Sequence, residues 1–71
     1  MQTLSDVEGE LRMETQALAH DIVRLEMWAR EAYRRRRFER VGELHHQREE
    51  VREHRSDVLR QLFQLRLRRR R

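Results

Sequence analysis

Two ladders of aliphatic residues run through this chain, one in each half, and each ladder repeats every seven residues. The first consists of Leu4, Leu11, Leu18 and Leu25, and the second of Leu44, Val51, Val58 and Leu65. A seven-residue repeat of apolar positions is typical of helices that pack side by side in a coiled coil. The step from Leu25 to Leu44 is not a multiple of seven, so one continuous helix would lose the phase of its seam there.

The two ladders mirror each other. If the first member of the first ladder is paired with the last member of the second, and so on inward, the two residue numbers of every pair have the same sum. This relation is the one that two helices folded back on each other require. The pattern therefore predicts an all-α fold, an antiparallel two-helix coiled-coil hairpin, with its turn near Arg34 and Arg35.

The ladder spacing also predicts the organisation of the chain. We expect a single domain over residues 1–71, with helix one at about 5–33, a turn at about 34–37, helix two at about 37–67 and a basic C-terminal tail at 68–71. Ser5 and Glu8 have the spacing of a capping box, in which the Ser hydroxyl accepts from a backbone amide three residues on. The sequence therefore predicts that helix one begins at Ser5.

The positions beside the two ladders differ in polarity. Arg48 and Arg55 accompany the ladder of helix two, so the middle of that seam is predicted to be polar on one flank. The apolar companions expected there are Val41, Leu59, Leu62 and Phe63. Helix one has Val7, Ile22, Trp28, Ala29 and Ala32 as its companions.

Helix one carries a second apolar stripe. Ala19, Val23 and Met27 recur every four residues, outside the seam. We expect a second copy of the chain to cover this stripe and to form a homodimeric four-helix bundle, because closed symmetric dimers are the commonest assembly. The alternative is a different protein or a larger complex, anchored by Met27, Trp28 and Tyr33, because Trp and Tyr dominate interface energetics.

Length and composition limit the classes of protein to consider. A chain of 71 residues buries only about 60% of its unfolded surface, so a second chain would add needed stability. There is no cysteine, and therefore neither a disulfide framework nor a thiolate metal site. No apolar run approaches the length that spans a bilayer, and the N-terminus does not have the order of a signal peptide. We expect a soluble cytoplasmic protein without membrane contact.

Charge is divided unevenly along the chain. All 17 basic residues other than histidine are arginine, a pattern typical of GC-rich genomes that says little about function. Residues 1–33 contain seven acids and three arginines, whereas residues 34–71 contain six acids and fourteen arginines. Helix one is therefore acidic and helix two basic. In a hairpin Asp6, Glu8 and Glu10 should lie near Arg66 and Arg68 and neutralise part of the C-terminal arginine run.

One segment has a family resemblance. From Leu25 the chain continues with Glu26, Glu31 and Ala32, and then with the run Phe38, Glu39, Arg40, Val41, Gly42, Glu43 and Leu44, up to Val51. Residues 25–51 resemble the UVR motif of bacterial excision-repair proteins, Clp-family chaperone ATPases and arginine-kinase activators. The resemblance implies a small antiparallel hairpin whose second helix opens at Phe38, whose residues Val41 and Gly42 allow close helix approach, and which docks onto other proteins. His45, His46 and Arg48 depart from the pattern of the motif.

The sequence offers no catalytic constellation. Thr3 and Ser5 have the positions of helix caps and Ser56 lies among charges, so no nucleophile has a paired base, and we expect no enzyme. His46, Glu50 and His54 follow one another every four residues and are the candidates for a metal site. This spacing is a weak motif without cysteine ligands, so we expect neither a metal nor a cofactor.

Nucleic acid is the alternative ligand class. Two arginine clusters could contact phosphates, as in small helical hairpin dimers that bind RNA: Arg34, Arg35, Arg36 and Arg37, and Arg68, Arg69, Arg70 and Arg71. The clusters would lie at opposite poles, about 40 Å apart for helices of about 28 residues. Because six acids are interleaved in helix two, we expect only weak, nonspecific binding.

A second regulator class has a partial match. An actinobacterial anti-sigma hairpin binds cyclic di-GMP through a ligand motif. The spacing of Glu53, Arg60 and Gln64 resembles that motif. Asp57 and Arg68 replace its Ser and Asp. The main prediction remains a small interaction module, an adaptor or regulator that docks onto itself or onto a partner protein through an apolar helix face.

Overall fold

Two long antiparallel helices, α1 and α2, make up this protein. The computed structural model describes residues 3–70. In it α1 spans Leu4–Arg34 and α2 spans Phe38–Arg69, and the two pack along their length into a rod of 53 × 17 × 15 Å. The predicted all-α helical hairpin is confirmed. Neither helix of the described chain has an apolar stretch long enough to cross a membrane.

The first helix is capped by Thr3. Its hydroxyl oxygen accepts from the backbone N–H of Asp6 at 3.2 Å, and the Asp6 carboxylate accepts from the backbone N–H of Thr3 at 3.2 Å. This is a capping box two residues before the predicted one, so the prediction at Ser5 is wrong. Glu8, the second residue of the predicted box, is instead buried and bound by arginines of α2.

The turn has the hydrogen bonds of a Schellman motif. Arg36 adopts the left-handed conformation, with φ 58°, although it carries a side chain. The backbone N–H of Arg36 donates to the carbonyl of Tyr33, and that of Arg37 donates to the carbonyl of Ala32, both at 2.9 Å. These bonds satisfy the last carbonyls of α1 and reverse the chain in three residues without glycine.

Apolar residues are buried along the whole of α2, and the cluster to which both helices contribute buried apolar residues lies near the turn. Its buried members are Leu25, Ala29, Ala32 and Leu44, with Val41 and Val51 packed against them. Leu44 and Val58 are each only 2% exposed, whereas Leu4 at the opposite end of the ladder is 52% exposed. The ladders therefore do line the seam, but their burial is uneven. The two alanines leave little apolar volume on the α1 side of the core.

A second seven-residue repeat completes the seam, and half of its members are polar. In α1 it consists of Glu8, Thr15, Ile22 and Ala29, and in α2 of Val41, Arg48, Arg55 and Leu62. Glu8 and Thr15 are buried. Arg55 donates from Nε to the carbonyl of Thr15 at 3.3 Å, which ties the two helices together through a polar group. The predicted polar flank of helix two thus lies in the seam.

Three of the predicted seam companions lie outside it. Trp28, Leu59 and Phe63 are 54%, 39% and 61% exposed. Trp28 precedes Ala29 by one position, and Leu59 and Phe63 follow Val58 and Leu62 by one. One position is a rotation of about 100°, which turns each of the three toward solvent. The expectation that they accompany the ladder in the core is therefore wrong.

Candidate functional site

The open end of the hairpin holds a carboxylate surrounded by arginines. Glu8 accepts hydrogen bonds from Arg12 of its own helix and from Arg66 of α2, each at 3.2 Å, and it pairs with Arg69 as well. The hydrogen bond from Arg66 lowers the pKa of Glu8, with further lowering from the charges of Arg69 and Arg12, while burial acts in the opposite direction. The prediction that Glu8 lies near Arg66 is confirmed. A second arginine from the end of α2 also binds Glu8, and it is Arg69 rather than the predicted Arg68.

The predicted partner-binding residues do not share one face. Ala19, Val23 and Met27 lie in a row on the outer side of α1, where Val23 and Met27 are 54% and 61% exposed. Trp28 lies five residues after Val23 and is rotated from it by about 140°. Tyr33, which is 65% exposed, lies on the flank opposite to Trp28. The set therefore comprises one apolar row and two aromatic residues on separate flanks.

The two aromatic residues border separate grooves beside the seam. The Trp28 groove has a volume of about 340 Å³ and is lined by Asp21, Arg24, Leu25, Trp28, Gln47, Glu50 and Val51. The Tyr33 groove has a volume of about 490 Å³ and is lined by Glu26, Ala29, Arg30, Tyr33, Arg34, Val41, His45 and Arg48. Two carboxylates and one arginine line the first groove, whereas one carboxylate and three arginines line the second. The grooves thus differ in sign of charge.

Other exposed apolar residues lie outside the predicted set. Leu59, Phe63 and Leu67 recur every four residues on the outside of α2, and Met13 is 71% exposed on α1. The four-residue spacing of Leu59, Phe63 and Leu67 can be seen in the sequence. It is the same pattern that predicts the apolar row of Ala19, Val23 and Met27. Both helices therefore carry an outward-facing apolar row.

The arginines of the turn differ in their partners. Arg34 and Arg35 both pair with Glu31, at 3.7 and 3.0 Å, and so part of this cluster is neutralised. Arg36 and Arg37 form no ion pair with any residue of 3–70. At the other pole the same holds for Arg68 and Arg70, while Arg69 binds Glu8. Arg71 lies outside the described residues.

The candidate metal ligands are divided between two contacts. His46 pairs with Glu50 at 2.9 Å, whereas His54 pairs across the hairpin with Glu14 at 3.0 Å. Within residues 3–70 no three His, Cys, Asp or Glu side chains are grouped so that they could hold a metal ion. The predicted trio is therefore not brought together.

The residues of the cyclic-dinucleotide motif lie on the outside of α2. Glu53, Arg60 and Gln64 are all exposed, and Arg60 pairs with Asp57 at 3.5 Å. None of the three lines the Trp28 groove or the Tyr33 groove. Their role in ligand binding stays a prediction.

Comparison with known proteins gives no relative. No protein-family model matches the chain, and no curated protein or solved structure matches it. Within the UVR-like segment, α2 begins at Phe38. A Cβ at Gly42 would meet no atom within 4 Å, so this glycine does not bring the helices closer together. The surfaces of this chain are therefore the basis for inferring its function.

Proposed function

We propose that this protein is a non-enzymatic interaction module, an adaptor or regulator, that pairs with a second copy of itself through the outer face of α1. The observation that carries the proposal is the row of Ala19, Val23 and Met27, whose two larger members expose more than half of their side chains. Paired outer faces of two hairpins would give a four-helix bundle. The cost of leaving such a row in water is the driving force for the association.

The total exposed area supports a second chain. The hairpin exposes 6209 Å², whereas a compact monomer of the same mass exposes about 4,800 Å². The excess exceeds the area of about 800 Å² that each partner buries in a standard protein interface. A rod made of two helices has no interior beyond the single seam between them. Pairing two such rods creates an additional interior between the hairpins.

The resemblance of residues 25–51 to the UVR motif supports the same role, because that motif is a protein-docking hairpin. The start of α2 at Phe38 agrees with the position of the second helix in the motif. A different protein on the outer face of α1 is the competing occupant. The choice of a second copy depends on the size of the excess area and on the frequency of symmetric dimers.

Sedimentation equilibrium of the purified chain tests the proposal. We expect the wild type to sediment as a dimer and Val23→Glu and Met27→Glu to sediment as monomers, because each substitution places an unpaired carboxylate in an apolar contact. Gln61→Glu is the matched control, since it adds the same charge at an exposed position of α2 and should leave the dimer intact. Circular dichroism of each variant reports whether the helices persist.

Two results would contradict the proposal. A monomeric wild type at high protein concentration would exclude the second copy as the occupant. Monomers formed equally by Gln61→Glu would show that net charge, rather than the outer face of α1, controls association.

Nucleic acid is the second candidate ligand. The observation in its favour is that Arg36, Arg37, Arg68 and Arg70 have no ion pair with any residue of 3–70. Against it, the same surfaces carry paired arginines, such as Arg40 with Glu43 at 2.9 Å. The two groups also lie at opposite ends of a rod 53 Å long. Each end can therefore contact only a few phosphates of one backbone.

A further inference from the structure

Arg48 lies in the seam without the partners that its guanidinium requires. Its Nε is buried and has no hydrogen-bond partner in residues 3–70. Its Nη2 contacts Glu49 at 3.4 Å, and the side chain is 26% exposed. A buried donor without an acceptor destabilises the fold, and a guanidinium offers five donors. Arg48 lines the Tyr33 groove, so a ligand in this groove can reach the exposed part of its side chain, whereas Nε itself is buried.

The charges around Arg48 favour an anion. Arg30 and Arg34 line the same groove from α1, His45 lies beside them on α2, and Glu26 is the one acid in the lining. Arg30 has no ion pair with any described residue, and the Arg34 contact to Glu31 is long, at 3.7 Å. Guanidinium groups match the geometry of phosphate oxygens and bind them with charge-assisted hydrogen bonds. The Trp28 groove, with two acids, does not offer this environment.

An aromatic pair stands at the turn end of the groove. The ring of Tyr33 packs edge to face on that of Phe38, with the centroids 5.8 Å apart and the planes at 75°. Tyr33 is nevertheless 65% exposed. A flat base can stack on such a ring. The volume of about 490 Å³ lies in the range of small-molecule sites.

We propose that the Tyr33 groove binds a nucleoside monophosphate, with the phosphate between Arg30, Arg34 and Arg48 and the base against Tyr33. Arg30 follows Val23 by two helical turns and therefore borders the Ala19, Val23 and Met27 row, so dimer formation has to be measured separately from ligand binding. It takes a single phosphate, because the arginines are grouped at one place and Glu26 lies in the same lining.

Titration of the ¹⁵N-labelled full chain followed by NMR tests the site, with AMP, adenosine and inorganic phosphate as the probes. We expect AMP to shift the amides around Tyr33, His45 and Arg48 and to bind about tenfold more tightly than inorganic phosphate, since stacking adds to the phosphate contacts. Adenosine should bind more weakly than AMP. Tyr33→Ala should remove the preference for AMP over inorganic phosphate, whereas Tyr33→Phe should retain it.

Substitutions of exposed arginines separate the groove from general charge. Arg30→Gln and Arg34→Gln should each weaken AMP binding about fivefold or more, because each removes a charge-assisted bond. Arg24→Gln, on the opposite flank of the same helix, is the matched control and should bind as the wild type does. Sedimentation of the same variants reports on the dimer separately.

The proposal would be overturned by AMP shifts that are absent or spread evenly over all arginine-bearing surfaces. Equal loss of affinity in Arg24→Gln would overturn it as well. Binding of a hexauridine RNA strand without any binding of AMP would assign the groove to nucleic acid and would also contradict it.

Discussion

The carboxylate of Glu8 joins the two helices at the open end of the hairpin through Arg66. Glu8 Oε1 lies 3.2 Å from Arg66 Nε, between residues 58 positions apart in the chain. Arg12 and Arg69 bind the same carboxylate, whose side chain is only 8% exposed. At this end of the seam Leu62 and Leu65 of α2 are buried, whereas Leu4 of α1 is exposed. A charged cluster thus supplements the apolar contacts at the open end of the hairpin.

Replacing this carboxylate should destabilise the hairpin. Glu8→Gln keeps the shape but removes the charge that three arginines share, so we expect a lower thermal midpoint by circular dichroism. Glu53→Gln is the matched control, because Glu53 is exposed on α2 and its loss should have little effect. Equal midpoints for Glu8→Gln and the wild type at neutral pH would contradict the role of the cluster.

The same cluster predicts a dependence on pH. Because the pKa of Glu8 in the folded chain lies below its ordinary value of 4.5, the ionised carboxylate stabilises the folded state above that pH. The contribution should fall as the pH drops below 4.5 and disappear beneath the lowered pKa. The midpoints of wild type and Glu8→Gln should therefore differ at pH 7 and converge in acid.

The N-terminal cap gives a prediction that distinguishes two neighbouring residues. Thr3→Ala removes the acceptor for the Asp6 amide and should cost about 1 kcal/mol in the free energy of unfolding. Ser5→Ala should change it by less than about 0.5 kcal/mol, as is usual for surface positions. Urea denaturation of both variants at one protein concentration makes the comparison. A larger loss for Ser5→Ala would place the cap at Ser5 after all.

The uneven burial of the ladders predicts unequal mutational effects. Leu44 is 2% exposed within the core near the turn, so Leu44→Ala should cost about 2–4 kcal/mol in the free energy of unfolding. Leu18 is only half-buried, and Leu18→Ala should cost less. Urea denaturation at a fixed concentration measures both, since dimer formation makes stability depend on concentration. Equal losses would show that the two layers contribute alike.

The turn should be improved by glycine at one position. Arg36 adopts a φ of 58°, a conformation that is strained for a residue with a Cβ. Arg36→Gly should raise the free energy of unfolding by about 0.5–1 kcal/mol, because glycine adopts this conformation without steric cost. Arg35 has a φ of −85°, so Arg35→Gly should lower the stability instead. The two variants differ only in the place of the glycine, and an equal effect would contradict the strain argument.

Nucleic-acid binding should be weak and depend strongly on the arginines of the turn. One cluster of four arginines can neutralise about four phosphates, so the slope of log affinity against log salt should be no steeper than about −4. We expect negligible affinity at physiological salt. A fluorescence titration with single- and double-stranded RNA and DNA at two salt concentrations measures this. Tight, sequence-selective binding would favour the nucleic-acid alternative, and replacement of Arg36 and Arg37 would then test the contact.

The hairpin itself could be predicted because its signal is repeated along the chain. Each ladder places a residue on the same side of a helix every two turns, and Leu25 and Leu44 share a phase only if the chain reverses between them. No contact between distant residues is needed to detect this pattern. The outer row of Ala19, Val23 and Met27 is visible for the same reason, as is the charge that draws Glu8 toward Arg66.

The tertiary structure alone decided which partners the polar seam residues bind and how deeply each ladder position is buried. Glu8 could cap α1 or bind α2, and its partners Arg66 and Arg69 are remote in sequence, so the capping pattern at Ser5 did not reveal the outcome. The separation of Trp28 from Tyr33 and the unpartnered Nε of Arg48 also depend on how the second helix lies against the first. A seven-residue repeat specifies that two helices pack together, but burial of each charged side chain is set by the neighbours that the packing brings to it.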